Sequence, residues 1–276
     1  MTARDRVQSR GRTWFDALAE QRLDSTDRPA TVQVGDGLLA GEPARFIAVV
    51  PDSANRFPRA RAGEVGLEEA WSLAAIVRAT IAADKDAGRR LIVPIVDVTS
   101  QAYGRLEEVL GLHLASAAAA DAYASARLAG HPVIALIVGK AMSGAFLAHG
   151  YQANLLLAFD DPGVQVHAMG RNAAARITRR SVEELDALAE QCPPMAYDIR
   201  SYARWGLVHQ FIGGIRADDP KASDISRVRV LLARAATHAR NSTRDLGSRL
   251  SSPDDRTGRW ASVEVRRLLA EQWHAL

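Results

Sequence analysis

Three small residues follow a long apolar run, and their backbone could stabilise a negatively charged oxygen. Residues 132–138 are apolar and rich in β-branched side chains, which predicts a strand buried on both faces. Ser143, Gly144 and Ala145 come after this strand, and an apolar segment at helical spacing follows them. The first N–H groups of a helix lack an intrahelical acceptor, and small side chains allow a ligand to approach them. We therefore expect the N–H groups of Gly144 and Ala145 to form an oxyanion hole of the kind that a thioester enolate requires.

Polar residues at the end of a second apolar strand are expected to meet a substrate. The run at 91–97 predicts another buried strand, and Ser100, Gln101 and Tyr103 lie in the polar turn after it. Turns at strand ends often carry function, because a rigid sheet positions them at the surface. The sequence thus predicts two functional turns, each following a buried strand.

Other interpretations of the same residues remain open. Gly144 and Ala145 could serve only to pack a helix closely. Ser143 could be a hydrolase nucleophile, although the Gly-x-Ser-x-Gly pattern is absent around it. His149 on an apolar helix and His167 in a strand are more typical of core residues than of catalysts, and neither has metal-ligand spacing. We therefore predict no metal site.

The elements around these turns predict an α/β fold. Three times, a predicted strand leads through a turn bearing glycine or serine into a helix, the order that ββα units coiled into a spiral would give. A doubly wound Rossmann-type sheet is the alternative, but no Gly-x-Gly-x-x-Gly follows a strand. No linker is evident, so we expect one domain over 1–276, with a core at 30–215 and C-terminal helices at 225–276. We also predict a hairpin turn at 41–43, helices at 12–23, 66–88, 105–130, 182–191 and 199–205, and a polar loop at 241–259.

Composition excludes several function classes. The net charge is +3 and the isoelectric point is about 9.3, but the chain has only three lysines and no dense basic block with interleaved aromatics. Nucleic acid is therefore not an expected partner. A single cysteine, Cys192, excludes a disulfide within the chain. The first residues lack the apolar segment of a signal peptide, and no uncharged apolar stretch reaches about 18 residues, so we expect a cytoplasmic protein without a membrane partner.

The two functional turns resemble those of a known superfamily. Residues 139–146, Gly-Lys-Ala-Met-Ser-Gly-Ala-Phe, resemble the Lys-Ala-Tyr-Gly-Gly-Ala-Tyr segment of the carboxyltransferase subunits of acyl-CoA carboxylases. Residues 96–104 resemble the Asp-Thr-Pro-Gly turn of the same subunits. Within this superfamily, the chain is similar to the gamma subunits of biotin-independent malonate decarboxylases. Ser100 and Gln101 replace the Pro-Gly pair and the glycine-rich run is reduced to Ser143-Gly144, changes that suit release of carbon dioxide rather than transfer to biotin.

The resemblance implies a fold, a reaction and a set of partners. The fold is a crotonase-like (ClpP/crotonase) spiral of ββα units, a carboxyltransferase-type domain with a helical C-terminal region. The reaction converts a malonyl thioester on an acyl carrier protein to the acetyl thioester and carbon dioxide. This chain binds no cofactor itself; the thioester is carried by a dephospho-CoA-type arm or by CoA. The partners are a homologous beta subunit, the acyl carrier protein and an acyl transferase subunit.

The resemblance also implies a set of site residues in this chain. Gly144 and Ala145, with Ser143 and Gly170, are expected to be catalytic. Substrate-binding residues are expected at Ser100, Gln101, Tyr103, Met142 and Met169. Two alternatives stay open: a carboxyltransferase subunit of a biotin-dependent acyl-CoA carboxylase, and a non-catalytic subunit that completes the site of the beta partner.

Overall fold

A single mixed sheet forms the centre of the molecule. A computed structural model describes residues 8–249 and 260–274, and all structural statements below concern these residues. The strand order is β1-β2-β3-β4-β5-β6-β8, and β7 pairs with the free part of β5. The strands are β1 (Gln21–Arg22), β2 (Val32–Leu39), β3 (Glu42–Val49), β4 (Leu91–Val98), β5 (Ile134–Met142), β6 (Leu155–Phe159), β7 (Gln165–His167) and β8 (Gln210–Ile212).

The first three strands are antiparallel and the others are parallel. β2 and β3 form a hairpin whose turn is Ala40-Gly41, both with positive φ (52° and 83°). This turn differs from the predicted one at 41–43, since Glu42 and Pro43 already pair within β3. Two successive residues with positive φ match the right-handed twist of the strands, so a two-residue turn suffices.

Strand β5 is long enough to take two partners along one edge. Its first half, Ile134 to Ile137, pairs with β6, and Lys140 to Met142 pair with β7. Apart from Lys140, every residue of β5 is buried, as expected for a strand covered on both faces. The change of partner opens the sheet beside the end of β5, and the predicted site lies at that opening.

Helices cover the sheet and connect its parallel strands. They are α1 (Arg10–Leu18), α2 (Leu67–Ala83), α3 (Arg105–Val109), α4 (Leu112–Leu128), α5 (Ser143–Ala148), α6 (Arg171–Thr178), α7 (Val182–Gln191), α8 (Ile199–Arg204), α9 (Ala222–Arg240) and α10 (Trp260–His274), with 3-10 turns at Pro58–Ala60, Pro193–Met195 and Gly247–Arg249.

The helix boundaries correct three sequence predictions, one of which is the helix predicted at 66–88, which ends at Ala83. The helix predicted at 12–23 ends at Leu18, because the chain then pairs as β1. The helix predicted at 105–130 is divided at Gly111, whose φ of +91° breaks the helical path. Helix α6 and strand β8 were not predicted. The predicted polar loop at 241–259 lies partly outside the described residues, because 250–259 are not described.

Small residues allow helices α2 and α4 to approach each other closely over the sheet. Ala115, Ala119, Ala122 and Ala126 recur at helical spacing on α4, and all four are fully buried. On the opposite side of the sheet, α1 packs Trp14 edge-on against Phe159 of β6 at a centroid distance of 4.7 Å. Both faces of the sheet are therefore covered.

His149, directly after α5, is a buried structural residue, as the apolar setting predicts. Its Nδ1 lies 3.0 Å from the Tyr123 hydroxyl, and its Nε2 lies 3.1 Å from the carbonyl oxygen of Ile95. A carbonyl can only accept, so Nε2 carries the proton and Nδ1 accepts from Tyr123. Burial lowers the pKa of His149 to about 4, so the ring is neutral at pH 7.

Helix α10 differs from the other long helices because none of its residues is buried. Its apolar side chains Val265, Leu268, Leu269 and Trp273 recur at helical spacing and are 40% or more exposed. None of the described helices is long and apolar enough to cross a membrane.

Candidate active site

A cavity of about 910 Å³ lies where the ends of β4, β5 and β7 meet the start of α6. Four separate segments of the chain border it. The lining residues are Arg59, Glu64, 99–103, Lys140, Met142, Ser143, Gln165, 168–173, Arg176 and Ile177. All the predicted site residues except Gly144 and Ala145 are among them.

The transition from β5 to α5 is tight and strained. Ser143 has a φ of +57°, in the left-handed region that a residue with a Cβ rarely adopts. Its hydroxyl donates to the carbonyl oxygen of Ala168 at 2.7 Å, which ties this turn to the loop after β7. That hydroxyl proton is therefore used in a structural bond, which argues against Ser143 as a hydrolase nucleophile.

The predicted oxyanion donors lie behind another side chain. The Gly144 N–H donates to the side-chain oxygen Oε1 of Gln101 at 2.9 Å, and Ala145 is completely buried. Neither residue borders the cavity, whereas Gln101 does. A Cβ added to Gly144 would lie 3.3 Å from Oε1 of Gln101, so glycine allows the close approach between these turns.

The transition from β7 to α6 is open by contrast. Gly170 is the N-cap of α6, and no side chain accepts a hydrogen bond from the first turn of this helix. The first turn holds no acidic residue, and a Cβ added to Gly170 would meet no atom within 4 Å. Residues 170–173 border the cavity, so the start of α6, where the first N–H groups lack an intrahelical acceptor, lies beside it.

His167 supports the loop that leads to Gly170. Its Nδ1 lies 3.2 Å from the backbone nitrogen of Met169 and 3.0 Å from the carbonyl oxygen of the same residue. The ring also stacks on Tyr197 at a centroid distance of 3.9 Å. Burial, with a further contribution from Arg171, lowers the pKa of His167, which favours the neutral ring. His167 is therefore half-buried and positions a loop, a role that its place in an apolar strand did not indicate.

Positive charge dominates the cavity wall. Arg59, Lys140, Arg171 and Arg176 border it, and Glu64 is the one acidic residue among the described lining residues. Arg171 is held by Asp186 at 3.1 Å and lies over the ring of Tyr197 at 4.6 Å. Together with the start of α6, these cations make the cavity suited to an anionic ligand.

Asp97 fixes the wall between β4 and β5. The pairing of these strands shifts register after Val96, and the Asp97 carboxylate accepts the N–H of Lys140 at 3.0 Å inside the irregularity. The same carboxylate accepts the N–H of Gly11 at 3.0 Å. A Cβ added to Gly139 would lie 2.1 Å from Oδ1 of Asp97, so only glycine fits at position 139 without a shift of the carboxylate.

Sequence reasoning missed the cationic half of the site. Arg171, Asn172 and Arg176 border the cavity because α6 begins at Gly170, and α6 itself was not predicted. The run of three consecutive alanines at 173–175, which favours a helix, was the available signal. In the described ranges, no group of three or more histidine, cysteine, aspartate or glutamate residues could hold a metal ion.

Solved structures establish the fold class. One chain of a transcarboxylase 12S structure with bound methylmalonyl-coenzyme A matches 87% of this chain and 42% of its own length, with a TM-score of 0.63 at 18% identity. At this identity the likeness shows the fold alone. It confirms the predicted crotonase-like α/β fold of the carboxyltransferases over the Rossmann-type alternative.

More similar proteins establish the family. A Malonomonas rubra protein named malonyl-S-ACP:biotin-protein carboxyltransferase MADD is 35% identical over 202 residues, 71% of this chain and 69% of its own. A chain of a Pseudomonas malonate decarboxylase hetero-tetramer, solved in complex with coenzyme A, is 58% identical with a TM-score of 0.91, covering 96% of this chain and 100% of its own. A Pseudomonas malonate decarboxylase MdcD-MdcE hetero-dimer contains a chain 56% identical, with the same coverage and a TM-score of 0.88. The model of the malonate decarboxylase gamma subunit family, MdcE, matches residues 60–273, so this chain belongs to that family.

Proposed function

We propose that this chain is the gamma subunit of a malonate decarboxylase and that its cationic cavity receives the malonyl end of a thioester carried by an acyl carrier protein. The observation that carries the proposal is the cavity itself: a chain of this family places an open helix N-terminus and four cations around one space. A malonyl thioester is an anion that becomes an enolate during the reaction, so it uses both features.

The reaction places a negative charge on an oxygen. The bond between the methylene carbon and the carboxylate breaks, carbon dioxide leaves, and the electron pair moves into an enolate whose charge lies on the thioester oxygen. A proton from water or a hydroxyl then gives the acetyl thioester. Preorganised N–H donors lower the barrier, because they bind the oxygen more strongly as its charge develops.

The start of α6 is the first of two donor groups that we assign to this reaction. Residues 170–173 at the start of α6 border the cavity, and the helix dipole favours an anion there. Gly170 leaves room for the ligand to approach the backbone. Met169 and Met142 add apolar surface to the cavity wall, which suits the methylene and thioester sulfur of the substrate.

The second donor group lies in the turn after β4, and the turn after β5 frames it. In our proposal, the oxyanion site is framed by Ser143, Gly144 and Ala145. The Ser143 conformation directs the Gly144 N–H towards Gln101, and Ser100 and Tyr103 border the cavity beside it. Both donor groups are joined by the bond from Ser143 to Ala168.

The beta subunit is proposed to dock on an exposed apolar surface beside the cavity. Tyr103, Leu106, Val109, Leu110 and Leu114 are each at least 51% exposed and lie on α3, the start of α4 and the turn before them. Tyr103 belongs to this surface and to the cavity wall, so a subunit bound here would also cover the site. The MdcD-MdcE hetero-dimer of a related chain supports a partner of this kind.

The carrier arm is proposed to enter past the basic residues of the rim. Arg59 and Arg176 belong to separate segments of the wall, and both suit the phosphate of a dephospho-CoA-type arm. The related hetero-tetramer solved with coenzyme A supports an arm of this chemistry. The acyl carrier protein and the acyl transferase subunit complete the proposed complex, with no cofactor bound by this chain.

A biotin-dependent carboxyltransferase is the second candidate function. The Malonomonas rubra relative, at 35% identity, is named as a carboxyltransferase that acts on a biotin protein, which gives a precedent for transfer of the carboxyl group to biotin. In that reaction the carbon dioxide is passed on rather than released. The higher identity to malonate decarboxylase chains favours release.

Decarboxylation of malonyl-CoA and of malonyl carrier protein by this chain tests the proposal, with and without its beta subunit and with avidin in each arm. We expect acetyl thioester only from the pair, at a rate that avidin does not change. Avidin-sensitive transfer of the carboxyl group to a biotin protein would support the second candidate. Absence of both reactions in the assembled pair would leave the non-catalytic interpretation.

A further inference from the structure

We propose that the side-chain amide of Gln101, rather than the Gly144 N–H, donates a hydrogen bond to the anionic oxygen of the substrate, and that Gly144 is a positioning residue for this amide. The inference rests on the proposed function, since it names a donor for the same reaction. It starts from the 2.9 Å bond between the Gly144 nitrogen and Oε1 of Gln101.

This bond determines which way the amide is turned. A backbone N–H can only donate, so the atom of Gln101 that faces Gly144 must be the oxygen. The two hydrogens on Nε2 are then directed away from Gly144: a Cβ built on Gly144 would be 3.3 Å from Oε1 and 3.8 Å from Nε2. Within the described ranges, Nε2 has no hydrogen-bond partner of its own.

The backbone of Gln101 is held as firmly as its side chain. Gln101 forms a parallel bridge with Val65, and Ala102 donates its N–H to the Val65 carbonyl at 2.9 Å. Tyr103 donates its N–H to the Gln101 carbonyl at 2.8 Å. The amide is therefore fixed at both ends before a ligand arrives, and such preorganisation makes a donor effective in catalysis.

The exposed surface of the site supports the same assignment. Gln101 borders the cavity, whereas Gly144 and Ala145 do not, so a ligand meets the amide first. Accepting a hydrogen bond at Oε1 polarises the amide and strengthens the N–H groups on Nε2 as donors. The Gly144 N–H thus acts on the substrate through Gln101.

Two substitutions of Gln101 test the inference in the complex with the beta subunit. Gln101→Met removes the donor and the acceptor, and we expect kcat for malonyl-CoA decarboxylation to fall about 100-fold, with KM changed less. Gln101→Glu keeps an oxygen for the Gly144 N–H but presents a second oxygen to the cavity, and we expect a similar loss at neutral pH. The matched control is Gln191→Met on the exposed face of α7, which should leave kcat unchanged.

The pH profile separates a donor from a structural role. Protonation of the new glutamate gives a hydroxyl that can donate, so the activity of Gln101→Glu relative to the original chain should rise as pH falls towards 5. Gln101→Met should show no such rise. Unchanged melting temperature and assembly with the beta subunit would establish that both variants fold.

One result would overturn this inference and leave the proposed function intact. If Gln101→Met matched or exceeded the original kcat while the original complex decarboxylated normally, Gln101 would be a placeholder that the substrate displaces from Gly144. Failure of the original complex to decarboxylate would instead contradict the proposed function. Binding of malonyl-CoA would still test the assignment of the donor in that case. Both variants lose the N–H groups of Nε2, so both should bind malonyl-CoA more weakly than the original complex does.

Discussion

The two strand-to-helix transitions at the cavity are built in opposite ways. After β5, the chain turns at once through Ser143, the Gly144 N–H is already bonded and Ala145 is buried. After β7, the loop ends in Gly170 with nothing within 4 Å of its Cβ position and an uncapped helix behind it. One hydrogen bond, from Ser143 to Ala168, joins them. The closed transition therefore acts as a frame, and the open one offers groups that a ligand can bind.

The largest expected effect comes from closing the open transition. In Gly170→Asp, the new carboxylate becomes an N-cap that accepts from the first turn of α6. It should stabilise the helix by a few tenths of a kcal/mol while it fills the anion site, so we expect kcat/KM to fall at least about 100-fold. Decarboxylation kinetics and a melting curve of the complex measure the two effects together.

Gly170→Ala is the control for that change. Open space around the Cβ position and a φ of −64° allow alanine without strain, so activity should stay within about threefold of the original. An active Gly170→Asp complex would show that the start of α6 does not bind the substrate.

The next effect comes from disturbing the closed transition. Valine at position 144 would force its side chain against Oε1 of Gln101, which lies 3.3 Å from the Cβ position. We expect Gly144→Val to lower kcat about 10-fold to 100-fold through displacement of the Gln101 amide. Gly144→Ala, with a smaller conflict, should lose less. A fully active, fully assembled Gly144→Val complex would favour the interpretation that this chain only completes the site of its partner.

A smaller effect is expected at Ser143, where strain and a hydrogen bond can be separated. Ser143→Ala and Ser143→Gly both lose the bond to Ala168, but only glycine is free of the left-handed strain. Ser143→Gly should therefore be more stable than Ser143→Ala by about 1 kcal/mol in urea unfolding. Both variants should keep activity within about tenfold, whereas complete loss in Ser143→Ala would indicate a nucleophile.

The smallest expected effect is a loss of stability at acid pH caused by His149, the buried residue directly after α5. The pKa of His149 is about 4 in the folded chain and about 6.5 when it is exposed, so the unfolded chain takes up the proton first. The free energy of unfolding should fall as pH drops from about 6.5 towards 4, by about 1 kcal/mol between pH 7 and 5.5. His149→Gln keeps a neutral side chain and should lose this part of the pH dependence in thermal unfolding.

The strands and the family were predictable because their signals are local. The apolar runs at 91–97 and 132–138 needed no knowledge of the rest of the chain, and the small residues after the second run carried the resemblance. The division of the helix at Gly111 was not predicted, since Leu106, Leu110 and Leu114 continue at helical spacing across it and only the φ of Gly111 marks the break.

The character of the site depended on contacts that no local pattern records. Gly144 and Ala145 were expected to face the substrate because their N–H groups begin a helix. The side chain of Gln101, 43 residues away in sequence, covers the first of them. The cations of α6 were missed because α6 itself was not predicted, and the pairing of β7 with β5 brings the start of α6 to the cavity.

Asp97 has a consequence for the order in which this molecule folds. Its carboxylate joins Gly11, at the start of α1, to Lys140, near the end of β5, so the wall of the cavity spans almost 130 residues of chain. Contacts between such distant residues form slowly, because the long loop between them must close first. On the ribosome, Lys140 emerges long after α1 has been made. The cavity is therefore completed late in synthesis, and the first turn of α1 gains its bond to Asp97 only after β4 has been made.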